Sequence, residues 1–213
     1  MPLRTLDDLY LSMPWDSIDA VVFDVGGILI DMSPQDVLAH LFPDQQDKYP
    51  DLLRKMIRTP YWNMVDSGAL SLEEAIDAMT GRDEALRPMI HAFMTRWPEF
   101  NFSVEEGVEA VHTCKEHGKK LYILSNYPDE HFAYNERKFP FLTLFDGIVV
   151  SAREHMLKPK PDIYRLLTQR YALSPSRVLF IDDTPANIEG AFAAGWQGFC
   201  MNQPGKLRTF LGS

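Results

Sequence analysis

The sequence predicts an α/β chain, a doubly wound parallel sheet with a small helical domain inserted into it. Three observations carry that expectation. After residue 102, short apolar and β-branched runs alternate with helical stretches, the pattern that parallel strands joined by right-handed crossovers produce. From about residue 33 to 102 the pattern is helical, without a convincing strand. The apolar runs also stop on polar groups in a repeated way, at Asp24, at Ser125-Asn126 and at Asp182-Asp183. A core of residues 1–32 and 103–213 is expected, with the inserted helical domain at 33–102.

In chain order, Leu6–Leu11 reads as a short helical turn or arm. The first strand is Asp19–Asp24, whose unbroken run Ala20-Val21-Val22-Phe23 suits burial on both faces. Gly26 and Gly27 follow; with no Cβ they let the backbone turn sharply and approach a ligand closely. Asp24 then stands at the carboxyl end of a central strand, where open α/β sheets put their ligands. Ser33-Pro34 caps and opens a helix. Ser71-Leu72-Glu73-Glu74 reads as a capping box, with Ala75, Ile76, Ala78 and Met79 following on a helical period. A further helix spans Glu84–Arg96. Between these helices lie Arg58, Tyr61, Trp62, Asn63, Arg96 and Trp97, which are either core and rim of a helical bundle or contacts reaching a substrate from above the strand ends.

The second half is more regular. Glu105–His117 is an amphipathic helix with Val108, Val111 and Cys114 inward, closed by Gly118. Strands at 120–124, 147–150 and 178–181 alternate with helices at 129–138, 162–171 and near 186–194, and an edge strand follows at 198–201.

Composition narrows the function. A chain of 213 residues with 46% hydrophobic and 24% charged residues is an ordinary globular protein. Its net charge of -9 argues against a general nucleic-acid binder, which needs basic surface to neutralise phosphates. Small anions remain open, because a local set of donors overrides the global sign. Cys114 and Cys200 are far apart and lack metal-ligand spacing; they read as buried thiols in a reducing compartment rather than a disulfide, with a bridge left open by sequence alone. Met1–Trp15 has no continuous apolar core of a signal peptide, and no stretch is long and apolar enough for a bilayer span, so a cytoplasmic enzyme is expected.

The polar strand ends carry the chemistry. In a parallel sheet they converge on one crevice, where three carboxylates repel one another unless a cation lies among them. A hard divalent ion is therefore expected at Asp24, Asp182 and Asp183, magnesium fitting best. Lys158, in Leu157-Lys158-Pro159-Lys160-Pro161-Asp162-Ile163-Tyr164, adds a positive charge, and the proline after it disfavours the α region and stiffens the loop. A hydroxyl, backbone N–H groups and an ammonium facing a metal make an anion socket.

Taken together, Phe23-Asp24-Val25-Gly26-Gly27, Leu124-Ser125-Asn126, Lys158-Pro159-Lys160-Pro161-Asp162-Ile163-Tyr164 and the run from Phe180 through Asp182-Asp183-Thr184-Pro185 to Ala191 resemble the four motifs of the haloacid dehalogenase-like hydrolase superfamily. The insertion looks like that family's α-helical cap, and the chain is most similar to its sugar-phosphatase-like branch, which includes bacterial α-D-glucose-1-phosphate phosphatases. The resemblance implies Asp24 as the nucleophile that forms an aspartyl-phosphate. It implies Mg²⁺ held by Asp24, the Gly26 carbonyl and Asp183, with Asp182 a ligand through water or an acceptor behind the metal. Ser125 and the Asn126 N–H would hold the transferring oxygens, with Gly27 in the turn beside them, and Lys158 would offset their charge. Substrate specificity would lie in the cap, with Trp62, Trp97, Asn63 and Arg58 as candidates. The implied partner is a small phosphorylated metabolite, not a nucleic acid or a membrane.

One departure from the family pattern is pronounced. Phosphatases of this superfamily usually carry a second aspartate two residues after the nucleophile as general acid and base, and here that position is Gly26. Either the substrate has a good leaving group and solvent or a cap residue supplies the proton, or the chain is a slow phosphatase or a phosphate-ligand or protein-binding module. His155, where relatives often have glycine, is a surface imidazole or a substitute donor. A dehalogenase would not need the Asp182-Asp183 pair, and a phosphomutase would need the missing acid and base.

Overall fold

All four residues of β1 (Ala20–Phe23) are buried, and their alternation decides the two faces of the fold. Val21 and Phe23 enter one apolar cluster, Ala20 and Val22 the other. The structure, a computed structural model, describes residues 15–57, 59–201 and 207; the expected arm at Leu6–Leu11 and the candidate Arg58 lie outside them. After β1 come β2 (Ile30–Asp31), α1 (Pro34–Leu41), α2 (Tyr49–Met56), α3 (Pro60–Asp66), α4 (Leu72–Thr80), α5 (Arg87–Arg96) and β3 (Phe102–Ser103). The second half holds α6 (Glu105–Glu116), β4 (Lys120–Ser125), α7 (Asp129–Lys138), β5 (Gly147–Val150), α8 (Ser151–Glu154), α9 (Pro161–Arg170), β6 (Val178–Asp182), α10 (Pro185–Ala193) and β7 (Gln197–Cys200).

The main sheet is five-stranded and parallel, ordered β5-β4-β1-β6-β7. The expected fold class is therefore the observed one. From β1 the chain builds outward through β4 and β5, then returns to β6 on the other side of β1. Strand order reverses at β1, the point at which open α/β sheets form a ligand crevice. The same two-face alternation repeats on β4 and β6: Leu121, Ile123, Leu179 and Ile181 face one cluster, Tyr122, Leu124, Val178 and Phe180 the other.

The helices of 33–102 start where local chemistry tells them to. Ser33 accepts from the Asp36 N–H at 3.2 Å ahead of Pro34, and Ser71 and Glu74 close a reciprocal capping box. The expected helix over Glu84–Arg96 is two pieces, a 3-10 turn at Glu84–Leu86 and α5. Pro88 is the reason: without an N–H, and with a ring that clashes with a preceding turn, it fits only the first turn of an α-helix. Leu52, Met56, Ile76, Ile90 and Phe93 of this segment join the same apolar cluster as Val21 and Phe23.

Two details depart from expectation. β2 and β3 form a two-residue antiparallel ladder, Ile30 opposite Ser103 and Asp31 opposite Phe102, that ties the start of the helical segment to its end. Two residues are too short for any periodic signal. Val108 is only half-buried, because the inner stripe of α6 runs through Gly107, Ala110, Val111 and Cys114. Gly107 matters most there: a Cβ would lie 1.8 Å from the Ile28 carbonyl oxygen, so only glycine lets α6 press on the loop that follows β1.

Gly107→Ala is expected to destabilise the fold by about 2 kcal/mol, the usual cost of overpacking a closely fitted interior. Chemical denaturation checks this through a lower midpoint at unchanged slope; an unchanged midpoint would show that α6 shifts freely.

Candidate active site

Asp24 follows β1 at the floor of a cleft of about 690 Å³. Its Oδ1 accepts three hydrogen bonds: from the Val25 N–H at 2.6 Å, the Ser125 hydroxyl at 2.8 Å and the Lys158 ammonium at 2.8 Å. Oδ2 stands outside this set of donors. The turn behind it is closed by Leu29 and Ile30 N–H groups on the Val25 carbonyl and by the Gly27 N–H on Ile30. Gly27 has φ +71°, and a Cβ there would stand 2.5 Å from Asp183 Oδ2, so a side chain is barred twice over.

Lys158 also reaches Asp182 at 2.7 Å, and its side chain is 1% exposed. The Lys158 N–H donates to Asn126 Oδ1 at 2.9 Å while Asn126 Nδ2 donates to the Lys158 carbonyl at 3.1 Å, which clamps the loop after β4 to the loop before α9. Asp182 takes further bonds from Asn187 Nδ2, at 3.0 Å to each oxygen, and from the Thr184 N–H at 2.8 Å. Its lone pairs are thus held by α10 and its N-terminal turn. Asp183 is exposed and lines the cleft.

Burial pushes the Asp24 carboxyl up to about 7, the Lys158 charge pulling against it and the Asp182 charge adding to it. Burial likewise raises Asp183, with the Asp182 charge adding to the rise. Burial works against the Lys158 ammonium, but the Asp24 and Asp182 carboxylates outweigh it and its pKa is raised. Oxygens of Asp24, Asp182 and Asp183 lie within 4.8 Å of one another. Three carboxylates against one ammonium leave a surplus of negative charge, and hard oxygen donors in surplus suit a divalent, oxygen-preferring cation. The residues present fit such an ion.

The helical segment supplies the facing wall. Trp62 on α3 and Trp97 line the cleft, their rings 5.9 Å apart. Gly26, Gly27 and Asn126 line it from the floor, whereas Ser125, Lys158 and Asp182 sit beneath that floor. Of the other candidates, Asn63 is exposed and Tyr61 packs on the core, neither lining the cleft, and Arg96 is an exposed partner of Glu99. His155 is exposed beside the Ser67 carbonyl, in a separate depression with Met156 and Lys160.

Sequence reasoning missed Asp66. It lines the cleft one turn after Trp62, is 6% exposed, and its Oδ1 has no hydrogen-bond partner among the described residues. Burial pushes its carboxyl up to about 7, with the Asp24 charge adding and the Lys158 charge opposing. A signal was available: Asp66 ends α3, and a carboxylate at a helix C-terminus opposes the macrodipole.

Comparison with known proteins adds relatives to this geometry. A family model described as haloacid dehalogenase-like hydrolase matches residues 18–195. A sesquiterpene phosphatase of Aspergillus oryzae is 24% identical over 179 residues, covering 84% of this chain and 87% of its own. The phosphorylated carbohydrates phosphatase of Thermotoga maritima is 26% identical over 182 residues, covering 84% and 82%. Among solved structures, a HAD family enzyme of Bacteroides thetaiotaomicron in complex with magnesium and inorganic phosphate superposes with a TM-score of 0.64 at 20% identity, covering 86% of this chain and 93% of that one.

Because the Asp66 pKa is raised above its unfolded value, its contribution to stability is complete below the ordinary carboxylate range and is lost as pH rises through about 7. With divalent cations chelated, wild type should therefore lose about 3 kcal/mol relative to Asp66→Asn between roughly pH 4 and pH 8. Urea titrations of both proteins at several pH values measure this; parallel curves would show that Asp66 titrates normally.

Proposed function

The chain belongs to the haloacid dehalogenase-like hydrolase family, and from that membership and the cleft geometry we propose that it is a magnesium-dependent phosphatase of a small phosphate monoester, a sugar phosphate in the first instance. Asp24 carries the reading: a buried carboxylate at the switch point of the sheet, one oxygen fixed by three donors and the residue itself on the cleft. The phosphatases among its relatives, one of them acting on phosphorylated carbohydrates by name, support the substrate class.

In this reading Asp24 attacks phosphorus in line with the leaving oxygen and takes up the phosphoryl group as an aspartyl-phosphate, which water then hydrolyses. A carboxylate meets a dianionic ester only if the charge between them is masked. Lys158 supplies one fixed positive charge, and its hold on both Asp24 and Asp182 sets the nucleophile's angle. The Asn126 N–H serves the transferring oxygens, joined by the Ser125 hydroxyl once it turns from Asp24 Oδ1, with Gly27 leaving room in the turn. Asp24, the Gly26 carbonyl and Asp183 would hold Mg²⁺, with Asp182 ordered behind them. Bound there, the cation would neutralise charge on the transferring oxygens. Trp62 and Trp97 give the departing group an apolar wall, and residues 33–102 act as a cap over a core of 1–32 and 103–213. Cys114 and Cys200 are buried thiols, which supports a reducing, cytoplasmic setting; no helix among the described residues is long and apolar enough to cross a membrane.

A phosphate-release screen over sugar, nucleotide and amino-acid phosphates, with 4-nitrophenyl phosphate as a generic probe, is expected to show turnover with Mg²⁺ that chelation abolishes. Asp24→Asn should lower it by at least about a thousandfold, as loss of a nucleophile does. Negligible turnover together with a ligand-induced thermal shift would instead indicate a binding module.

A further inference from the structure

Gly26 leaves the leaving-group oxygen without a proton donor on the loop after β1, and we propose that Asp66, reaching down from α3, is the general acid that supplies it. The proposal rests on the phosphatase reading above and completes it.

Placement comes first. Asp66 follows Trp62 by four residues, so both project from one face of α3, and both line the cleft that has Asp24 on its floor. The departing group thus lies between the nucleophile below and Asp66 above. Asp66 is also held still. Its carbonyl accepts from the Ser151 hydroxyl, and Ser151 Oγ accepts the Tyr127 N–H at 2.9 Å, which fastens the end of α3 to the loop that carries Asn126. A donor on a swinging cap would need to be seated afresh in each cycle. This one is part of the floor's own hydrogen-bond chain.

Its chemistry fits the task. Asp66 is 6% exposed, yet its Oδ1 meets no partner among the described residues, an arrangement that costs free energy unless a ligand completes it. Burial and the Asp24 charge hold the carboxyl up to about 7, so a proton is available near neutrality. The other cleft acids are less suited: Asp31 is exposed with Oδ1 taken by the Met32 N–H, and Asp183 belongs to the cation cluster.

The step balances. An Asp24 oxygen forms a bond to phosphorus as the bond from phosphorus to the leaving oxygen breaks, the electron pair staying on that oxygen, which takes the Asp66 proton and departs as an alcohol. Asp66 is left as a carboxylate. Water then attacks phosphorus and gives its proton to Asp66, the bond from phosphorus to Asp24 breaks, and orthophosphate leaves with both aspartates restored.

Two esters of similar shape test the proposal. 4-Nitrophenyl phosphate releases a weakly basic phenolate that needs no proton, whereas benzyl phosphate releases an alkoxide that does. For Asp66→Asn, kcat/KM on benzyl phosphate should fall at least about a hundredfold, the usual scale of general acid catalysis, while kcat/KM on 4-nitrophenyl phosphate changes less than about fivefold. Asp66→Glu should recover part of the benzyl activity. Equal losses on both esters, or no loss on either, would overturn the assignment in favour of a binding or packing role. A wild-type protein inert towards both esters would remove the phosphatase reading itself and this proposal with it.

Discussion

One ammonium holds the site together. Lys158 lies between Asp24 and Asp182, at 2.8 Å and 2.7 Å, with its side chain almost wholly out of water and the Phe180 ring 5.3 Å away. Withdrawing three charges from water is costly, and a buried pair that loses one partner leaves an uncompensated charge worth about 3–5 kcal/mol. The fold meets that demand through donors from separate elements, Ser125 at the end of β4 and Thr184 and Asn187 at the start of α10, while Asn126 clamps the lysine's own backbone, accepting from its N–H and donating to its carbonyl. Strand ends that are distant in sequence are thereby locked in mutual register, and the orientation of the Asp24 carboxylate is a by-product of satisfying the lysine.

That constraint explains what can be read from the sequence. β1, β4 and β6 are legible because burial on both faces demands unbroken apolar runs, and the polar residues ending them stand out by contrast. Asp182 can be grouped with Asp24 on strand-end logic alone, before any contact is known, and Lys158 joins them as a positive charge in a proline-stiffened loop that offsets the acids. The wall of the cleft is different. Trp62, Asn63 and Arg96 are equally polar or aromatic in sequence, yet of these three only Trp62 reaches the cleft, because helix packing rather than composition decides which faces of α3 and α5 turn inward. Asp66 was obscured for the same reason: an aspartate before Ser67-Gly68 looks like a solvated helix end, whereas the end of α3 docks on the core, its Asp66 carbonyl on the Ser151 hydroxyl, and the residue is buried. The β2–β3 ladder carries no periodic signal at two residues a strand.

The glycine at position 26 acquires a meaning from this wall. A Cβ there would meet nothing within 4 Å, so packing does not forbid a side chain; the space beside Asp24 is simply left open. An acid on the loop after β1 would move with the nucleophile and serve any substrate placed against it. An acid on α3 serves only a substrate whose leaving oxygen reaches the cap. With the proton donor on the wall rather than the floor, as proposed, turnover would be coupled to how the non-phosphate part of the substrate fills the gap between them. On that proposal the Trp62 and Trp97 rings that line the cleft with Asp66 would act on rate as well as affinity, because an ester too small to press its leaving oxygen against the wall would forgo protonation while still presenting its phosphate to Asp24. Discrimination would then arise in the transition state, where the leaving oxygen becomes basic, with no separate recognition step required.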